Sequence, residues 1–89
     1  MKYLIIDLSK FRDIKKLHEY IAKGLDFPDY YGKNLDALYD CLTDIDEPTA
    51  LVVMNVPENS DALQGRLEGL LSVFENAADE NPKISLKRI

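Results

Sequence analysis

Eighty-nine residues fit one small domain, and 46% hydrophobic with 30% charged residues is too apolar for a disordered chain. A formal net charge of −5 disfavours phosphate backbones and anionic membrane surfaces and favours basic proteins as partners. The single cysteine, Cys41, excludes an intramolecular disulfide, the opening MKYLIIDL is too short in apolar residues for a signal sequence, and no run approaches the ~20 apolar residues of a membrane span, so a cytoplasmic protein is expected.

In chain order, residues 3–8 (YLIIDL) read as a buried strand. Ile14, Leu17, Ile21 and Leu25 recur at spacings of three and four, the stripe of a helix over 14–25, with Asp13 as its N-cap and Gly24 at its exit. Pro28 confirms the break, and 28–33 (PDYYGK) form a loop in which Gly32 is a candidate for positive φ. Asn34 caps a second helix to about Thr43, with Leu35, Leu38 and Leu42 as its buried stripe. Residues 49–54 (TALVVM) read as a second buried strand, and 57–62 as a loop or short helix with Ser60 a candidate cap. Leu63, Leu67, Leu70, Leu71 and Phe74 mark a long helix to about Ala78, stopped by Asn81-Pro82, and 83–88 (KISLKR) alternate as a last strand. The order β-α-α-β-(α)-α-β gives an α/β fold of one domain, 1–89. Helical connections favour a parallel sheet with right-handed crossovers.

The excess negative charge is concentrated. From Asp26 to Glu47 there are seven acids against Lys33 alone, whereas the remainder holds nine acids and ten bases. On the second helix Asp36, Tyr39, Asp40 and Thr43 share one face by spacing. Asp36 and Asp40 repel at i, i+4, and Asp40 and Asp44 lie toward the helix end whose dipole disfavours them. Such an arrangement opposes stability and suits a surface that receives cations. Tyr30, Tyr31 and Tyr39 stand beside the acids, and tyrosine is a favoured interface anchor.

Residues 26–43, DFPDYYGKNLDALYDCLT, closely resemble the barstar family, intracellular inhibitors of the ribonuclease barnase. The motif P-x-Y-Y-G-x-N-L-D-A-L-x-D-C-L is long and specific, and weaker similarity covers nearly the whole chain, including Leu17-His18 and Val73-Phe74. The resemblance implies a barstar-like three-stranded parallel sheet packed with three to four helices. It implies an inhibitor or immunity protein that blocks a basic ribonuclease or related toxin in a 1:1 complex, inserting its loop and second helix into the active site. By position, Tyr30 packs against the catalytic histidine region, Asp40 meets the phosphate-binding bases, and Asp36 meets a second basic group. Tyr31, Gly32, Asn34, Leu35 and Thr43 complete that surface, with Tyr39 and Asp44 in the same acidic row. The chain departs from the family pattern in four places. Tyr39 stands for a tryptophan, Asp44-Ile45 for Gly-Trp in a turn one residue shorter, Asn76 (beside Glu75) for an interface glutamate, and Pro82 for a second cysteine.

Other readings of the same residues remain open at this level. The acids could form an ordinary solvated face, and Tyr31 could be half-buried core. His18 suits a packed helix residue, and Cys41 a buried small hydrophobe. Asp36 and Asp40 could serve a small carboxylate-dependent hydrolase, though an exposed helix face does little to separate their pKa values. An acidic interaction module with a non-nuclease basic partner is the third reading. No cofactor, metal, nucleic acid or membrane is expected, and the free chain is expected to be monomeric.

Overall fold

In the computed structural model, residues 1–56 and 62–89 are described, with side chains of the last helix described from Gly65 onward. Strand β1 (Lys2–Asp7) leads into a 3-10 turn (Leu8–Lys10) and helix α1 (Ile14–Gly24). Helix α2 (Leu35–Thr43), strand β2 (Thr49–Met54), helix α3 (Ala62–Glu80) and strand β3 (Ile84–Arg88) follow. The strands form one parallel sheet in the order β1-β2-β3, with Leu4 opposite Leu51 and Leu51 opposite Leu86. The α/β expectation and the element order are met. The loop or short helix expected over 57–62 lies outside the described residues as far as residue 61, with its Ser60 cap, and so does the side chain of Leu63.

Alternation decides which sheet face is covered. Leu4, Ile6, Leu51, Val53 and Ile84 are buried on one face, beneath Leu17 and Ile21 of α1, Leu38 and Leu42 of α2, and Leu67, Leu70 and Phe74 of α3. The reading of β1 and β2 as wholly buried strands is corrected. Tyr3 and Ile5 are 67% and 56% exposed, and Ala50, Val52 and Met54 are only half-buried. The described helices pack on one side, whereas parallel sheets are usually covered on both. Tyr20 closes part of the β1 edge by donating its hydroxyl to the Ile5 carbonyl at 2.7 Å.

Local signals explain most element ends. Asp13 caps α1 through the Lys15 amide at 2.9 Å, and Asn34 caps α2 through the Ala37 amide at 2.8 Å. Leu8 leaves the strand for the 3-10 turn because Asp7 caps that turn, accepting from the Ser9 amide at 3.0 Å. The left-handed positions after α1 and before α2 are Asp26 (φ 57°) and Lys33 (φ 53°), so the expected positive φ at Gly32 is overturned. At Gly24 the chain passes close to β1: a Cβ there would stand 2.5 Å from Leu4 Cδ1 and oblige that side chain to shift.

Candidate functional site

The segment after α1 is built around one buried tyrosine. Leu25 is buried, Asp26 turns the chain, and the Phe27 amide donates back to the Ala22 carbonyl at 2.9 Å. The Tyr31 amide donates to the Pro28 carbonyl at 3.0 Å, closing a tight turn. Its ring packs against Phe27 at 5.1 Å between centroids, and its hydroxyl lies 2.6 Å from His18 Nδ1. Burial pushes the Tyr31 phenol up and the His18 imidazole down, so both are neutral at pH 7. Of the two readings of Tyr31 the core one holds: only 8% of its surface is exposed, which leaves little of the ring for a partner. Tyr30, one residue earlier in the turn, is 87% exposed.

The loop then hands over to α2. Lys33 is held by Glu19 of α1 at 3.2 Å, and Asn34 spans the junction, donating from Nδ2 to the Gly32 carbonyl at 3.3 Å while capping the helix. A Cβ at Gly32 would sit 3.0 Å from Asn34 Nδ2, so this glycine makes room for the cap. Leu35 corrects the buried stripe: it is 39% exposed and lies along α3, where the missing side chain of Gly69 makes room for it. Leu38 and Leu42 are fully buried as expected.

Asp36, Asp40 and Asp44 are exposed along α2 and its C-cap. Among the described residues the ion pairs are Lys2 with Asp26 and Glu47, Lys33 with Glu19, and Arg88 with Glu75, so no cation neutralises the α2 carboxylates. Tyr39 is half-buried against the core, and Thr43 gives its hydroxyl to the Tyr39 and Asp40 carbonyls at 3.0 and 3.1 Å. A groove of about 590 Å³ runs beside this row, with Phe27, Pro28, Tyr30 and Cys41 among its apolar lining and Asp40 and Asp44 among its acids. Burial, with Asp44 and Asp40 nearby, pushes the Cys41 thiol up, which leaves it a poor nucleophile. Cys41 is half-buried at the groove rather than enclosed as a small hydrophobe. No group of three or more His, Cys, Asp or Glu side chains is placed to hold a metal among the described residues.

The family model described as "Barstar (barnase inhibitor)" matches residues 1–87. The chain belongs to the barstar family. A Bacillus subtilis (strain 168) protein named "Putative ribonuclease inhibitor YrdF" is 43% identical over 81 residues, covering 90% of this chain and 89% of that protein. The family match reaches into every element, stopping one residue short of the end of β3, and makes the protein a non-enzymatic inhibitor, which removes the hydrolase reading of Asp36 and Asp40. In this barstar the candidate residues fall into two sets. Tyr30, Gly32, Asn34, Leu35, Asp36, Asp40 and Asp44 lie at the surface along one continuous segment, whereas Tyr31 is enclosed and Tyr39 and Thr43 are half-buried. On α3, Glu75 is engaged by Arg88 at 3.0 Å and Asn76 is exposed.

Sequence reasoning missed Asn81. Beyond ending α3, its buried amide donates to the Leu42 carbonyl at 3.0 Å and the Ile45 carbonyl at 2.9 Å. Its Oδ1 accepts from the Lys83 amide at 3.0 Å. It thus ties down the C-terminal end of the helix that carries the acids. No local pattern points to this, because the two segments are 36 or more residues apart.

Proposed function

We propose that this protein is a ribonuclease inhibitor that blocks the active site of a basic ribonuclease with its loop 26–33 and the exposed face of α2. The observation that carries the reading is the row Asp36, Asp40 and Asp44, exposed and free of ion pairs among the described residues, beside an 87% exposed Tyr30. A ribonuclease site that binds phosphate needs Arg, Lys or His, and unneutralised carboxylates at that surface replace the phosphates of RNA. Two of these acids sit at the C-terminal end of α2, where the helix dipole opposes them by about 0.3–1 kcal/mol each. That cost is offset only when a cation arrives. The neighbouring Tyr30 supplies ring area with little entropy to lose. Immunity toward a toxin, a cytoplasmic site of action and a 1:1 complex belong to the same proposal.

The test is titration of barnase activity with the protein and with Asp40→Ala. The wild type inhibits stoichiometrically, and Asp40→Ala loses about 2–5 kcal/mol of affinity if it faces a desolvated cation; barnase with barstar is itself the reference case for costs of this kind. Equal inhibition by both proteins would refute the mode. Failure of the wild type on barnase, with inhibition of another basic ribonuclease lost in Asp40→Ala, would keep the mode and change the partner.

A further inference from the structure

At the other end of the sheet the charge reverses. β1 runs from Lys2, beside the acidic groove, to Asp7, a span of about 17 Å for its length. The chain then turns through Lys10, Phe11, Arg12 and Asp13 into α1, and Lys10, Phe11, Arg12, Asp13 and Lys16 line a second cavity of about 420 Å³. Three of these five residues are cationic and exposed, and Lys15 lies beside them in the first turn of α1. None of the four bases takes part in the ion pairs described above, in a chain where acids outnumber bases by sixteen to eleven. Two acids lie close by: Asp13 in the lining, and Asp7, whose pKa is lowered by its hydrogen bond from Ser9 and, in smaller part, by the charge of Lys10. Asp13 Oδ1 accepts from the Lys15 amide, and Asp7 Oδ1 accepts from the Ser9 amide, the Ser9 hydroxyl and Asn55 Nδ2. Phe11 forms an aromatic wall, half-buried and tilted against Tyr20 at 5.2 Å between centroids.

From this we infer that the Lys10–Lys16 cavity is a second binding site, independent of the inhibitory face, for the phosphates of a single-stranded oligonucleotide. Arg12 offers a fork that fits a phosphate, Lys10 and Lys16 add point charges, and Phe11 offers a ring edge to a base. The aromatic wall favours a nucleotide over an acidic peptide. The net charge of −5 argues against such a ligand only at long range. Exposed charges are screened beyond about 10 Å at 0.1 M salt, and the ends of β1, Lys2 at the groove and Asp7 toward the cavity, are about 17 Å apart. A phosphate chain at this cavity therefore meets the local bases and is shielded from the acidic groove.

The experiment is fluorescence anisotropy of a labelled oligouridylate of about six nucleotides, titrated with the full chain between about 50 and 200 mM salt. The expected result is saturable binding whose logarithm falls with log salt at a slope of about −2, for three neutralised phosphates on a single strand. Arg12→Ala with Lys16→Ala, both at exposed positions, reduces the slope to about −0.7 and weakens binding at least tenfold. Asp40→Ala leaves RNA binding unchanged, and the double variant leaves ribonuclease inhibition unchanged. Three results would overturn the inference: no binding at the lowest salt, undiminished binding by the double variant, or full displacement by inorganic phosphate at a concentration equal to that of the RNA.

Discussion

Tyr30 and Tyr31 are neighbours in sequence, yet one is exposed and the other buried. A turn closed by the Tyr31 amide on Pro28 sends one ring into the core and the other into solvent. The buried hydroxyl and His18 Nδ1 satisfy each other, so Tyr31→Phe leaves a buried nitrogen unpaired at a cost of about 1–3 kcal/mol, read from the urea midpoint. His18 also sets a pH dependence. Burial holds its folded pKa below the ordinary 6.5, so between those values the unfolded chain binds the extra proton. Stability is therefore full above about pH 6.5 and is lost as pH falls below it. The expected outcome is a midpoint that drops from about pH 7.5 to about pH 5, and drops less in His18→Gln. An identical drop in the variant would assign the effect to other groups.

Among the elements, α2 is held at both ends by asparagines of different kinds. Asn34 is a local N-cap, readable from its place before LDAL, and its replacement by alanine should cost about 1 kcal/mol. Asn81 acts from beyond α3, donating to carbonyls at the end of α2 in a buried setting. Its loss strands several buried groups at once, at about 1–3 kcal/mol for each one left unsatisfied. Asn81→Ala should thus destabilise more than Asn34→Ala in chemical denaturation and should weaken ribonuclease binding, since the carboxylates depend on where α2 ends. The reverse order would mean that water replaces the Asn81 amide. Gly24 illustrates a third kind of constraint. Alanine there gains about 0.5–1 kcal/mol in helix propensity, but its Cβ meets Leu4, a buried core residue, at 2.5 Å.

At the scale of the whole molecule, the chain separates its charges. Acids line the edge of the sheet where β1 begins, and bases without an ion pair among the described residues gather where β1 ends. Lys2 is the one cation of the acidic groove, and its hydrogen bond to Asp26 raises its pKa and keeps it charged against Asp26 and Glu47. Asp40 and Asp44 remain without such a partner among the described residues. A field of one sign at one end steers a basic partner, so the association rate with a basic ribonuclease should fall steeply as ionic strength rises, while the dissociation rate changes little. Stopped-flow measurements at several salt concentrations check this, and a salt-independent association rate would remove the steering argument.

Apolar periodicity, the caps Asp13 and Asn34 and the motif from Pro28 to Leu42 determined the element order, the parallel α/β class and the family, because each depends on residues close together in the chain. The acidic row was equally legible, since helical spacing alone places Asp36 and Asp40 on one face. Only the tertiary structure decided that Tyr31 and not Tyr30 is buried, that Leu35 is exposed, that the described helices leave one sheet face open and that Asn81 anchors α2. Each of these follows from contacts between segments far apart in sequence, such as Tyr31 with His18 or Asn81 with Ile45. Local pattern records what a residue prefers, whereas burial and hydrogen-bond partners are set by which distant groups the fold brings alongside it.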